Sequence, residues 1–210
     1  WAKEIGITLG FNNSKLQQLV LAGLLHDIGK TMVSYKILNK TSPLNKREYE
    51  KIKEHSNYGS QIASYLLKDK PKFIKVPKII KHHHERYDGK GYPDGLKKEE
   101  VPFESYIIGI ADAVDVMLSG RPYKKALTLD EVIRELYENK GKQFHPQLVD
   151  IMVALLSKAQ RRGEGDDLFG INMGSLILKL EDQINIIEGI LLNYNSYYVF
   201  KPVLDYDISN

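Results

Sequence analysis

Cysteine is absent from this chain, and its absence removes disulfides and thiolate metal sites together. A bound metal would rely on nitrogen and oxygen donors, which favours iron, manganese or zinc over softer ions. A reducing, cytoplasmic setting is the expected one. No run of about 18 apolar residues occurs, so no membrane segment is expected, and no secretory signal is visible. An excess of one charge is missing too. The 30 basic and 27 acidic residues leave a net +3, which tolerates an anionic ligand but does not suggest the dense basic patch that grips a nucleic-acid polymer. Histidine is scarce, with six in 210 residues, so the place of each one is informative.

What is present is helical periodicity in a chain that is 42% hydrophobic, enough for one core of ordinary size. Leu16, Leu19, Val20, Gly23 and Leu24 recur at three-to-four spacing and predict an amphipathic helix running into His26, capped at Asn13 or Ser14. After a loop through Asn39 to Asn45, a charged helix is expected to carry Tyr49, Ile52, His55 and Ser56 on one face. Gly59 should relax the chain before Ile62, Ala63, Leu66 and Leu67 resume the period. Pro77 suits the first turn of a helix that ends at His82 to His84.

The stretch Asp88 to Pro102 is a loop by its glycines and prolines. Beyond it, helices are expected over Tyr106 to Met117, Leu129 to Asn139 and Pro146 to Leu156. No strand-like alternation of useful length precedes the tail, so the fold class is all-α, a helical bundle. The polar segment Arg161 to Gly170 marks a boundary, giving a domain over 1–158 and a C-terminal extension over 159–210. In that extension Ile177, Leu180, Ile184, Ile187 and Leu191 form a short seam. Two readings stay open for it: a helix packed on the bundle, or one that pairs two chains as a homodimer or carries a signal onward. Trp1 to Ile5 reads as the middle of a helix, so the chain is expected to be truncated at its N-terminus.

Four of the six histidines fall in or beside two polar segments, His26-Asp27-Ile28-Gly29-Lys30 and the run from His83 to Pro93. Taken alone, His26-Asp27 reads as a buried histidine bonded to its neighbours. Lys30, one turn after Asp27, could set an ammonium beside that carboxylate or a substrate phosphate. His55 is either a core histidine or a ligand. Neighbouring helical residues such as His83 and His84 point about 100° apart, so the pair can serve adjacent metals or one site at a helix end. His82 is then expected to face solvent or stand behind the ligands. Asp112, flanked by small and apolar residues, needs a partner if buried, and a metal is the natural one. Asp115, one turn on, has an orienting, capping or structural role. Glu85 and Asp88 either orient histidines or close the glycine-rich loop. Tyr92 either stacks on a base, joins a docking surface for a signalling domain, or anchors its loop.

In this order the segments resemble the HD-GYP domain, a branch of the HD phosphohydrolase superfamily that degrades cyclic di-GMP in bacteria. The resemblance covers about residues 1 to 156. It rests on His26-Asp27, Lys30, His55, the run His83-His84-Glu85 to Gly91-Tyr92-Pro93, Asp112, and Arg121-Pro122-Tyr123-Lys124. It implies an HD-superfamily bundle in which His26, Asp27, His55, His83, His84 and Asp112 hold two or three divalent ions, iron or manganese. Asp27 and Lys30 become the catalytic pair, and Lys30, Tyr92, Arg121 and Lys124 the substrate contacts. The implied reaction is hydrolysis of cyclic di-GMP to pGpG and onward to GMP, with diguanylate cyclase-type or other signalling domains as partners. The alternative is a degenerate module that binds a nucleotide or a partner protein without turnover.

Departures from the family pattern lie at His145, where aspartate is usual, and at Val116-Met117 and Ser119-Gly120 before the arginine. His145 is expected to be a helix-entry residue. The family's upstream helix usually adds another ligand, which is expected to lie before Trp1. A first test follows. Arg121→Ala should weaken substrate use while leaving bound metal unchanged, as read by steady-state kinetics beside elemental analysis. Loss of metal, or unchanged kinetics at every substrate concentration, would contradict its assignment to phosphate.

Overall fold

The computed structural model describes residues 1–119 and 125–163. A short helix α1 (Ala2–Thr8) leads to α2 (Asn13–Leu25), which begins where the Asn12 side chain accepts the Lys15 N–H at 2.9 Å. The cap thus falls one residue upstream of the expected pair. α2 buries Leu19, Leu21, Ala22 and Leu25, whereas Leu24, expected to face inward, is 52% exposed. The single-stripe expectation fails because α2 packs against α1, α6 and α7 at once and so buries a broader arc.

At His26 the chain leaves α2 and tightens into a 3₁₀ turn over Ile28–Met32. After the single turn α3 (Tyr35–Leu38), α4 (Lys46–Lys53) opens on a reciprocal cap between Asn45 and Glu48. Helix α5 (His55–Leu66) follows with Glu54 alone between the two. Tyr49 and His55 therefore do not share a helical face: Tyr49 is 49% exposed and His55 is buried. Gly59 does not relax the chain either. It lies inside α5, where the 3₁₀ turn crosses so closely that a Cβ on Gly29 would stand 2.4 Å from the Gly59 nitrogen.

Helix α6 (Val76–Lys81), with Pro77 in its first turn, ends just before the histidine run rather than at it. Helix α7 (Phe103–Ser119) runs through the core, burying Tyr106, Ile107, Ile108, Ile110 and Val114. Ser105 Oγ–H donates to the Ile79 carbonyl at 2.9 Å and ties α7 to α6. Helices α8 (Leu129–Glu138) and α9 (Pro146–Gly163) complete the layer with Leu136, Leu148, Met152 and Leu156 fully buried. Each such side chain contributes about 1.5–3 kcal/mol of burial.

Among the described residues there is no strand, only an isolated bridge from Lys140 to Phe144 at the α8–α9 turn. The all-α class is as expected. No described helix is long and apolar enough to cross a membrane. Helix α9 continues past residue 158 to Gly163, and the seam from Ile177 to Leu191 lies outside the described residues.

The crossing at Gly29 generates a prediction. A Cβ there would meet the His55 carbonyl oxygen at far less than contact distance, so the turn or α5 must move. Gly29→Ala should cost about 1–3 kcal/mol or more, lowering Tm by roughly 4–10 °C for a domain of this size. Thermal denaturation followed by far-UV circular dichroism measures it, and an unchanged Tm would show that the crossing yields easily.

Candidate metal centre

Three of the histidines occupy the same local position, just past the last turn of a helix. The closing carbonyls of an α-helix have no partner within it. His26 follows α2 and its Nδ1 lies 2.6 Å from the Gly23 carbonyl. His55 follows α4 and meets the Ile52 carbonyl at 2.7 Å, and His83 follows α6 and meets that of Ile80 at 2.6 Å. A carbonyl only accepts, so each Nδ1 carries the proton, and the neutral ring keeps its lone pair on Nε2.

Those Nε2 atoms converge. His55 and His83 face each other nitrogen to nitrogen at 3.5 Å. The His26 Nε2 is buried without a hydrogen-bond partner, 3.5 Å from Asp27 Oδ2 and 3.8 Å from Asp112 Oδ1. Asp27 Oδ1 lies 3.5 Å from the His55 Nε2. His84 joins from above, its ring 3.9 Å from that of His83, and one nitrogen each from His55, His83 and His84 fall within 4.8 Å of one another.

Charge follows from this crowding. Burial, reinforced by His84, holds His83 well below the usual imidazole range. Burial, with His55, Lys30 and His26 nearby, pushes His84 down to about 3. His55 is lowered by burial against the opposing pull of its carbonyl bond and Asp27. His26 moves the other way, because Asp112 and Asp27 outweigh its burial. Asp112 is lowered although burial resists, by the attraction of His26.

Two buried lone pairs set opposite each other, a third with no donor in reach, and two carboxylates at the rim make a poor arrangement in isolation. A shared cation resolves it. Donors bound to one ion at about 2.1 Å sit roughly 3–3.5 Å apart; the contacts here run from 3.5 to 3.8 Å, with the His84 nitrogen within 4.8 Å of those of His55 and His83. His26, Asp27, His55, His83, His84 and Asp112 thus form a set that fits divalent metal. Lys30 Nζ reaches Asp27 Oδ2 at 2.5 Å. Beside the cluster opens a cavity of about 340 Å³, lined by His83, His84, Asp112, Arg86, Glu135 and Gln143 among others.

Other expectations are modified. His82 neither faces solvent nor points to the centre: it is 4% exposed, with Nδ1 2.9 Å from the Lys78 carbonyl and Nε2 2.9 Å from Asp94 Oδ2. Asp88 touches no histidine and instead pairs through both oxygens with Arg86 at 3.1 and 3.0 Å, which keeps its pKa low. Glu85 accepts the Asp94 N–H at 2.8 Å. Asp115 is exposed. The Tyr92 ring stacks on His84, centroids 4.7 Å apart at 30°. Arg121 and Lys124 lie outside the described residues.

The sequence reading missed Asp94 and the Arg86 contact with Gln143 Oε1 at 3.0 Å. Neither partner carries a local signal, since both pairs join segments far apart or across a loop. His145 stands at the start of α9, ringed by Tyr87, Phe103 and Tyr106 with centroids 5.0–5.6 Å away. Its Nδ1 is buried and unpartnered, and burial lowers its pKa.

An all-helical domain with a histidine–aspartate cluster fitted to divalent metal is the class that fold and site define. A family model described as the HD domain matches residues 1–148, and the chain belongs to that family. Gly91-Tyr92-Pro93 are the residues on which the resemblance to the HD-GYP branch rests. It is 38% identical, over 69% of its length, to a cyclic di-GMP phosphodiesterase response regulator of Xanthomonas campestris, covering 38% of that protein. It is 36% identical over 79% of its length to a cyclic di-GMP phosphodiesterase of Thermotoga maritima, covering 44% of it. The chain therefore spans less than half the length of these curated relatives. In fold it matches a cyclic GMP-AMP specific phosphodiesterase of Vibrio cholerae, with TM-score 0.61 and 22% identity over 85% of this chain and 46% of that one.

His145 supplies the prediction here. Its cage is aromatic and its Nδ1 makes no bond, so His145→Phe replaces an unpaired buried polar group by a ring of similar shape. Stability should hold or rise by up to about 1 kcal/mol, with metal content unchanged, as judged by urea denaturation and elemental analysis. A loss of metal would show that His145 belongs to the centre.

Proposed function

We propose that this domain is a metal-dependent phosphodiesterase that opens cyclic di-GMP to linear pGpG and carries it on to GMP. The observation that carries the proposal is the convergence of imidazole Nε2 atoms from three helix ends beside the Asp27 and Asp112 carboxylates. The similarity to relatives named cyclic di-GMP phosphodiesterases supports the substrate.

His26, Asp27, His55, His83, His84 and Asp112 would hold two or three ions, iron or manganese. Such ions lower the pKa of coordinated water toward neutrality and offset charge on a phosphoryl group in transfer. The protein's own part is positioning. Lys30 Nζ, beside Asp27 Oδ2, keeps a proton within reach of a departing sugar oxygen and a positive charge for the phosphate. Arg121 grips phosphate through its planar fork and Lys124 adds a point charge. Glu85, through Asp94, steadies the loop that carries Tyr92.

A second substrate is favoured by one specific observation, the 34% identity over 73% of this chain to a 3′3′-cGAMP-specific phosphodiesterase of Vibrio cholerae, of which it covers 29%. The test supplies both cyclic dinucleotides to manganese- or iron-loaded protein and separates the products chromatographically. Release of pGpG faster than cleavage of cyclic GMP-AMP supports the proposal. Metal-loaded protein that leaves both intact would favour a binding module.

Two substitutions probe the site itself. Asp27→Ala and His84→Ala should each bring hydrolysis to background and lower bound metal while the helical far-UV spectrum persists. Full activity in either variant would remove the metal mechanism.

A further inference from the structure

Three of the four clustered imidazoles are oriented by a bond from Nδ1 to a helix-end carbonyl. His84 is different: among the described residues neither of its nitrogens makes a hydrogen bond. Its ring is held by stacking, and its flattest contact is the Tyr92 face at 30°. The orientation of His84 therefore depends on what holds Tyr92.

Tyr92 belongs to a loop tied at several points to the turn that carries the histidine pair. The Tyr92 N–H reaches the His84 carbonyl at 3.3 Å. A Cβ on Gly91 would lie 2.4–2.6 Å from the backbone of His84, Glu85 and Arg86, so the two strands of chain run in direct contact. Two residues beyond Tyr92, Asp94 is gripped from both sides of the pair. The His82 ring and Lys81 Nζ meet its Oδ2 at 2.9 and 2.7 Å, and its N–H meets Glu85 Oε1 at 2.8 Å. His82 and Glu85 immediately flank His83-His84, and both are about 95% buried.

We propose that Asp94 is a positioning residue for the metal centre: clamped between His82 and Glu85, it presses the Tyr92 ring onto His84 and so orients the one imidazole that lacks a carbonyl partner. This rests on the reading of His84 as a metal ligand. Asp94 itself bonds to Lys81, His82 and Glu85 and to none of the six clustered histidines and aspartates. Residues that orient a ligand from behind typically change metal affinity by 10–100-fold when removed.

The test uses the whole chain and Mn²⁺ as probe, with titration calorimetry beside hydrogen exchange of residues 82–95. Asp94→Ala should weaken Mn²⁺ binding about tenfold or more and speed exchange at the Tyr92 and Asp94 amides. Asp94→Asn, whose side-chain amide can still hydrogen-bond the His82 Nε2 as either donor or acceptor, should restore affinity. Lys81→Ala removes only the outer ion pair and should leave it unchanged. If Asp94→Ala fails to fold, Tyr92→Ala takes its place, since losing the ring should weaken Mn²⁺ in the same way. Wild-type Mn²⁺ affinity in Asp94→Ala or Tyr92→Ala would overturn the clamp. Equal weakening in Asp94→Asn and Asp94→Ala would also overturn it, because charge rather than the bond to His82 would then matter. A parent chain that takes up no Mn²⁺ would instead overturn the metal reading beneath it, so the two failures are distinct.

Discussion

Everything at the centre depends on one interaction made three times, the bond between an imidazole Nδ1–H and a carbonyl left over at the end of a helix. The carbonyl needs a donor and the ring needs a fixed tautomer, and one hydrogen bond meets both needs. Because His26, His55 and His83 each make it, three Nε2 atoms are turned into the interior before any ion is considered. The bundle then brings the three helix ends together, and the repulsion of facing acceptors becomes affinity for a cation.

That meeting is made possible by a steric feature and not by charge. Gly29 and Gly59 let the turn after α2 lie against α5 at a distance no side chain would permit. The contact carries Asp27 to His55. On the opposite side Ser105 pins α7 to α6 and brings Asp112 to His26 and His83. Three of the clustered imidazoles stand at helix ends and Asp112 inside α7, while the one imidazole without a carbonyl partner leans on a loop. Metal retention and loop order should for this reason be coupled at His84 and at no other histidine.

Much of this was legible in the chain. The three-to-four spacing of apolar residues specified helices, and the absence of cysteine specified nitrogen and oxygen donors. Scarce histidines grouped with aspartates pointed to a metal, and the family resemblance implied a set of six residues whose polar atoms lie near one another. Less legible were the faces. Leu24 was expected inside and is exposed, because α2 has three helical neighbours and its buried arc is set by all of them. Tyr49 and His55 looked like one stripe until a break at Glu54 separated α4 from α5. His82 reads in sequence as facing solvent or standing behind the ligands, and only the fold reveals Asp94 beside it.

The division has a physical cause. Periodicity and donor type are local properties, decided by neighbours within a turn or two, and the amino-acid order alone determined them: an all-helical domain with histidine and aspartate donors. Which way each ring points, which nitrogen keeps its lone pair, and whether a loop carboxylate pairs with a buried histidine are settled between segments distant in the chain. Those were decided only by tertiary packing, because a hydrogen bond or a stacked ring requires ångström-level proximity that no spacing along the sequence encodes.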